Sequence, residues 1–178
     1  MSATAWDLRW PDPVALQVAS ERQRETCNDA RPGVNMALPV LVQVEQPFIG
    51  SGWARFLLAS PWGVACVWYP NPAQTEAVPV RSAFPLNVGP EGRVLPGQGV
   101  LLDTAPGQTI PALTAWAPET GHHFVQLLIR NMEGFSTAPQ ALEAARKLQN
   151  QTPERPVALS RRMEKPVSRR GLLSLFRS

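Results

Sequence analysis

The sequence predicts an α+β domain: one mainly antiparallel β-sheet, with an N-terminal and a C-terminal helix packed on one face and a disordered basic tail behind them. Three observations carry this. Residues 47–70, PFIGSGWARFLLASPWGVACVWYP, read as a tight apolar hairpin. A series of short apolar runs follows, each bounded by proline or glycine turns. Helical patterns occur only before and after these runs, starting at Asp12 and Thr137.

Residues 1–11 read as a loose lead-in, with Trp6, Leu8 and Trp10 available to dock. Asp12-Pro13 is a helix start, with Asp12 as N-cap and Pro13 at the first helical position. The helix runs on to stop before Pro32-Gly33, and its apolar face is carried by Val14, Leu16, Val18 and Ala19. LPVLVQV, residues 38–44, is the first strand, with Val40, Val42 and Val44 on one side. In the hairpin, residues 53–59 and 64–69 are the strands. Pro61 presets the turn and Gly63 is free to take φ > 0. Residues 77–84 make a proline-broken edge strand, and residues 99–103, 109–117 and 122–130 three further apolar runs. The last is ambiguous between strand and helix on periodicity alone. Thr137 opens the second helix in a capping box with Gln140. Ala141, Leu142, Ala145 and Leu148 form its apolar stripe.

The domain therefore spans residues 12–151, and residues 152–178 form a basic, flexible tail. The chain has 178 residues and a net charge of +3. The excess sits in the tail, where Arg155, Arg161, Arg162, Lys165, Arg169, Arg170 and Arg177 face only Glu154 and Glu164. The 19 prolines are spread along the chain, so they punctuate short elements and form no polyproline segment. The first residues lack the pattern of a secretory signal, and no run is long and apolar enough to span a membrane.

Catalytic and metal chemistry find little support. Cys27 and Cys66 occupy unlike settings and do not suggest a disulfide framework. Cys66, flanked by Ala65 and Val67, reads as packing in a reducing compartment. His122 and His123 are adjacent, so on a strand they point to opposite faces and cannot share a metal; surface or edge positions are expected for both. Carboxylates are scattered, with no acid/base pair. The expectation is a non-enzyme with no cofactor.

Two features call for a binding explanation. Trp53 enters the hairpin and Trp62 sits at its turn, where an aromatic is hard to bury and suits a contact surface. In the tail, Leu172, Leu173, Leu175 and Phe176 are wasted on a purely electrostatic arm and suggest a docking motif. A basic arm also suits nucleic acid or an anionic membrane surface, which is the alternative reading. A third is a small enzyme using Cys66.

The residues 50–53, the turn Ser60-Pro61-Trp62, the apolar strand ending at Pro70 and the closing Ser168-Arg169-Arg170-Gly171-Leu172-Leu173 together resemble the HybE/HupJ-type assembly chaperones of NiFe hydrogenases. The chain departs from that pattern at Leu127-Leu128-Ile129-Arg130-Asn131-Met132, where the family has a Cys-Ser-Leu-Phe-Ser-Pro-like segment. The resemblance implies a cytoplasmic, non-catalytic chaperone that holds a hydrogenase large or small subunit precursor, alongside other maturation proteins, until its metal centres are in place. It implies no nucleic acid, and membrane contact only through the client. The tail also resembles a twin-arginine export signal, which at this position implies a mimic of the client's own signal. The expected contact residues are Trp53, Pro61, Trp62, Ser168, Arg169, Arg170, Leu172, Leu173 and Phe176.

Overall fold

The computed structural model describes residues 5–27, 31–46, 52–73 and 78–151. The tail motif at Ser168, Arg169, Arg170, Leu172, Leu173 and Phe176 lies outside the described residues.

Helix α1 spans Pro13–Thr26, and the Asp12 carboxylate caps it by accepting from the amides of Val14 and Ala15. Strands β1 (Leu41–Gln46), β2 (Trp53–Ser60) and β3 (Gly63–Pro70) follow as a meander. The chain then crosses to the far edge for β4 (Val80–Arg81) and returns through β5 (Gly99–Ala105), β6 (Gln108–Ala117) and β7 (Gly121–Ile129). Helix α2 spans Ala138–Gln151. The sheet has seven strands in the order β1-β2-β3-β7-β6-β5-β4, all neighbours antiparallel. The α+β class and both helices are as expected, and the ambiguous last run is a strand.

β2 and β3 are interior strands of the sheet, and β3 is buried along its whole length. Alternation divides their side chains between two cores. Trp53, Leu57, Ala59, Val64, Cys66 and Trp68 pack with Phe124 of β7 and with Ala138, Ala141, Leu142 and Ala145 of α2. Ala54, Phe56, Val67 and Tyr69 pack with Leu16 of α1 on the other side. The helices thus lie on opposite faces, not on one. Both strands are apolar on each side, so each face needs its own cover.

The buried face of α1 also differs from expectation. Leu16 and Ser20 are buried, while Val14 is 69% exposed and Val18 also faces out. At 3.6 residues per turn, positions 14 and 18 lie nearly opposite position 16. The Ser20 hydroxyl donates to the Leu16 carbonyl, which makes its burial tolerable. At the α2 cap Gln140 N–H donates to Thr137 Oγ1 as expected, while the Gln140 side chain accepts from the amide of Ser136, one residue before the cap.

The lead-in is not loose over residues 5–11. Val94 N–H donates to the Ala5 carbonyl, His122 N–H to the Asp7 carbonyl at 2.7 Å, and the Arg9 guanidinium to the Pro118 carbonyl. Trp6 sits edge-on to His122, their ring centroids 5.1 Å apart.

Candidate functional site

The turn Ser60-Pro61-Trp62-Gly63 closes the β2–β3 hairpin, with Ser60 paired to Gly63. Its glycine does not take positive φ, contrary to expectation. It is needed for space instead: a Cβ at Gly63 would stand 2.5 Å from the Ile129 carbonyl oxygen and 2.9 Å from Leu127 Cδ1. The turn is thus pressed against the end of β7. Asn35 N–H donates to the Pro61 carbonyl at 2.9 Å and holds it from the other side. Pro61 is buried and Trp62 is half-buried.

Trp53 is not a surface residue. It is 2% exposed, and its indole N–H donates to the Asp103 carbonyl at 2.8 Å. Its ring meets Trp68 and Phe124 edge-on. Of the contact residues expected in the domain, Trp62 keeps exposed surface, while Trp53 and Pro61 hold the hairpin from within.

Beside the turn lies apolar surface that the linear pattern did not reveal. Leu113 of β6 is 50% exposed and Leu127 of β7 is 44% exposed. Leu113 pairs in register with Val125, and Leu127 follows two residues later on the same side. The two leucines are therefore diagonal neighbours on one sheet face. It is the α1 face, since Val125 stands opposite Val67 and Leu127 opposite Ala65. Helix α1 packs with Phe56, Val67 and Tyr69, and leaves these leucines in the open. With Gly63 against Leu127, the turn carrying Trp62 borders the same strip. Each leucine is one letter in an alternating strand, so only the register brings them together.

Both histidines are buried, contrary to expectation. His122 Nδ1 accepts from the Asp7 amide, which places its proton on Nε2, and Nε2 donates to the Val94 carbonyl at 3.0 Å. His123, on the opposite face, stacks on Tyr69 with centroids 5.3 Å apart, and its Nδ1 donates to the Gly121 carbonyl at 3.1 Å. Burial pulls His123 down to about 4, against the pull of that carbonyl. They act as structural pins. Among the described residues no group of three or more His, Cys, Asp or Glu side chains is placed to hold a metal ion.

Cys66 lies under α2. Burial pushes its thiol up to about 12, while Arg55 and Gln149 pull the other way. A thiol held that high is protonated at neutral pH and is a poor nucleophile. Among the described residues no helix is long and apolar enough to cross a membrane.

No protein-family model and no curated protein matches the chain. Among solved structures it is similar to the solution structure of HybE from Escherichia coli. The TM-score is 0.50 at 15% sequence identity, and the match covers 93% of this chain and 91% of that one. At that identity the likeness concerns the fold: this chain has a HybE-like fold.

Proposed function

We propose that this protein is a non-catalytic chaperone of NiFe-hydrogenase assembly, acting in the cytoplasm on a precursor subunit before export. One observation supports it above the others. The chain whose motifs resemble the HybE/HupJ type, in order, also has a HybE-like fold. The client would rest on the strip formed by Trp62, Leu127 and Leu113. Exposed apolar surface flanked by a rigid hairpin suits a partner that is released later, because the surface needs no rearrangement to receive it. The tail motif from Ser168 to Phe176 would make a second contact, on the client or on a partner that otherwise binds the client's signal. The reading uses no nucleotide and no permanent metal.

The test is genetic. In the organism that encodes the chain, deleting the gene should leave hydrogenase subunits as unprocessed precursors, and the intact gene should restore processing. Normal processing in the deletion strain would contradict the proposal.

A further inference from the structure

On the α2 face, one row of the β2–β3 ladder is polar where its neighbours are apolar. Arg55 of β2 stands opposite Trp68 of β3 in register, and its guanidinium carbon is 5.5 Å from the indole ring centroid. Trp68 is 4% exposed. Arg55 Nε and Trp68 Nε1 are both buried donors that meet no hydrogen-bond acceptor among the described residues. Native chains match the great majority of such groups. Two unmatched donors in a single cross-strand pair ask for a reason.

The acidic group close by is already engaged. Glu45, in the bulge of β1, accepts from Arg146 of α2, whose Nε lies 3.0 Å from Oε1. Cys66 follows on the same face of β3 and is a neutral thiol. Helix α2 comes down the sheet with Ala138 at its start, and its last turn brings Gln149 to Cys66. The Arg55–Trp68 row is the next one along the strands. Guanidinium and indole are both donors with no acceptor capacity. The row therefore offers a full positive charge, a planar fork and one further N–H. A carboxylate fits that set, since a guanidinium grips its two oxygens together.

We infer that Arg55 and Trp68 form a docking point for a carboxylate carried by a partner polypeptide, on an acidic side chain or at a chain end. The inference rests on the chaperone reading only for the identity of that polypeptide. The pair itself is tested on the full chain alone. Three peptides serve as probes: acetyl-Leu-Leu-Val with a free carboxyl end, acetyl-Leu-Asp-Val-amide, and the neutral acetyl-Leu-Leu-Val-amide. The readout is the NMR signals of Trp68 Nε1–H and Arg55 Nε–H during titration. Both should move to saturation with a carboxylate peptide and stay put with the neutral one. A response to the first peptide alone identifies a chain end, and a response to the second alone a side chain. Arg55→Gln should abolish the response. Trp68→Phe, which keeps an aromatic ring, should weaken it by at least about five-fold. The Phe variant decides the matter if Arg55→Gln does not fold.

An equal response to the neutral peptide, no saturable response to either carboxylate, or a response that survives both substitutions would overturn the site. A chain that binds the carboxylate peptides but no hydrogenase precursor keeps the site and loses the partner assigned to it. A precursor bound equally well by Arg55→Gln removes that partner from the site and leaves the chaperone role standing.

Discussion

The backbone N–H of Asp7 donates to Nδ1 of His122 at 2.7 Å. Through this bond the residues ahead of α1 are fastened to the last strand of the sheet, 115 positions later. Gly121 makes the approach possible: its φ is +64°, and a Cβ there would run into the Asp7 carbonyl oxygen. Asp7 also accepts from the Trp116 indole through its carboxylate, which the neighbouring Arg9 guanidinium holds below the ordinary range.

His122→Phe keeps a flat ring for Trp6 but can neither accept from Asp7 nor donate to Val94. We expect a loss of about 2–4 kcal/mol in denaturant unfolding, the cost of buried groups left unmatched. Hydrogen exchange at the Asp7 amide should accelerate more than exchange in β2 and β3. An unchanged midpoint with unchanged exchange would show that the lead-in is not pinned there.

Gly63→Ala tests the hairpin. The added methyl meets the Ile129 carbonyl and Leu127, so a cost of about 2–4 kcal/mol is expected from overpacking. Trp62→Ala, one position earlier, should cost less than about 1 kcal/mol, because its side chain is only half-buried. Thermal or denaturant unfolding of the two variants checks the contrast. Equal losses would mean that Trp62 belongs to the core.

His123 makes stability depend on pH. Its folded value is about 4, against an ordinary value of 6.5, because burial penalises the charged ring. Between those values the unfolded chain takes up a proton that the folded chain does not. The contribution is therefore complete above about 6.5 and is lost as the pH falls towards about 4. The slope approaches about 1.4 kcal/mol per pH unit for one group. His123→Phe should flatten the stability curve in that window; a curve as steep as that of the unchanged protein would assign the slope elsewhere.

Much of the fold was legible in the linear sequence because its signals were local. The Asp12 and Thr137 caps, the Pro61-Trp62 turn and the apolar strands each announce themselves within a few residues. What was illegible depends on which side of the sheet a residue meets. β2 and β3 are apolar on both sides, so their pattern does not say where α1 and α2 lie. Val14 and Val18 looked like a buried stripe, yet the helix turns them away from Leu16. Nothing around His122 signals that a backbone amide 115 positions earlier comes to meet it. The Leu113–Leu127 strip and the Arg55–Trp68 pair are likewise products of register, legible only once strand order is known.

Deleting residues 166–178 takes away the Ser168-to-Phe176 motif and none of the described residues. The deletion should leave the melting temperature within about 2 °C. Affinity for a hydrogenase precursor should fall by at least about ten-fold if the Ser168-to-Phe176 motif makes its contact. Unchanged affinity would leave the domain as the whole binding unit.

The most direct measurement is titration calorimetry of the purified chain with a hydrogenase subunit in its precursor and processed forms. Binding of the precursor is expected near micromolar or tighter, with the processed form at least about ten-fold weaker. The double variant Leu113→Ser, Leu127→Ser should lose most of that affinity while staying folded. No measurable heat with the precursor of either the large or the small subunit would contradict the chaperone role.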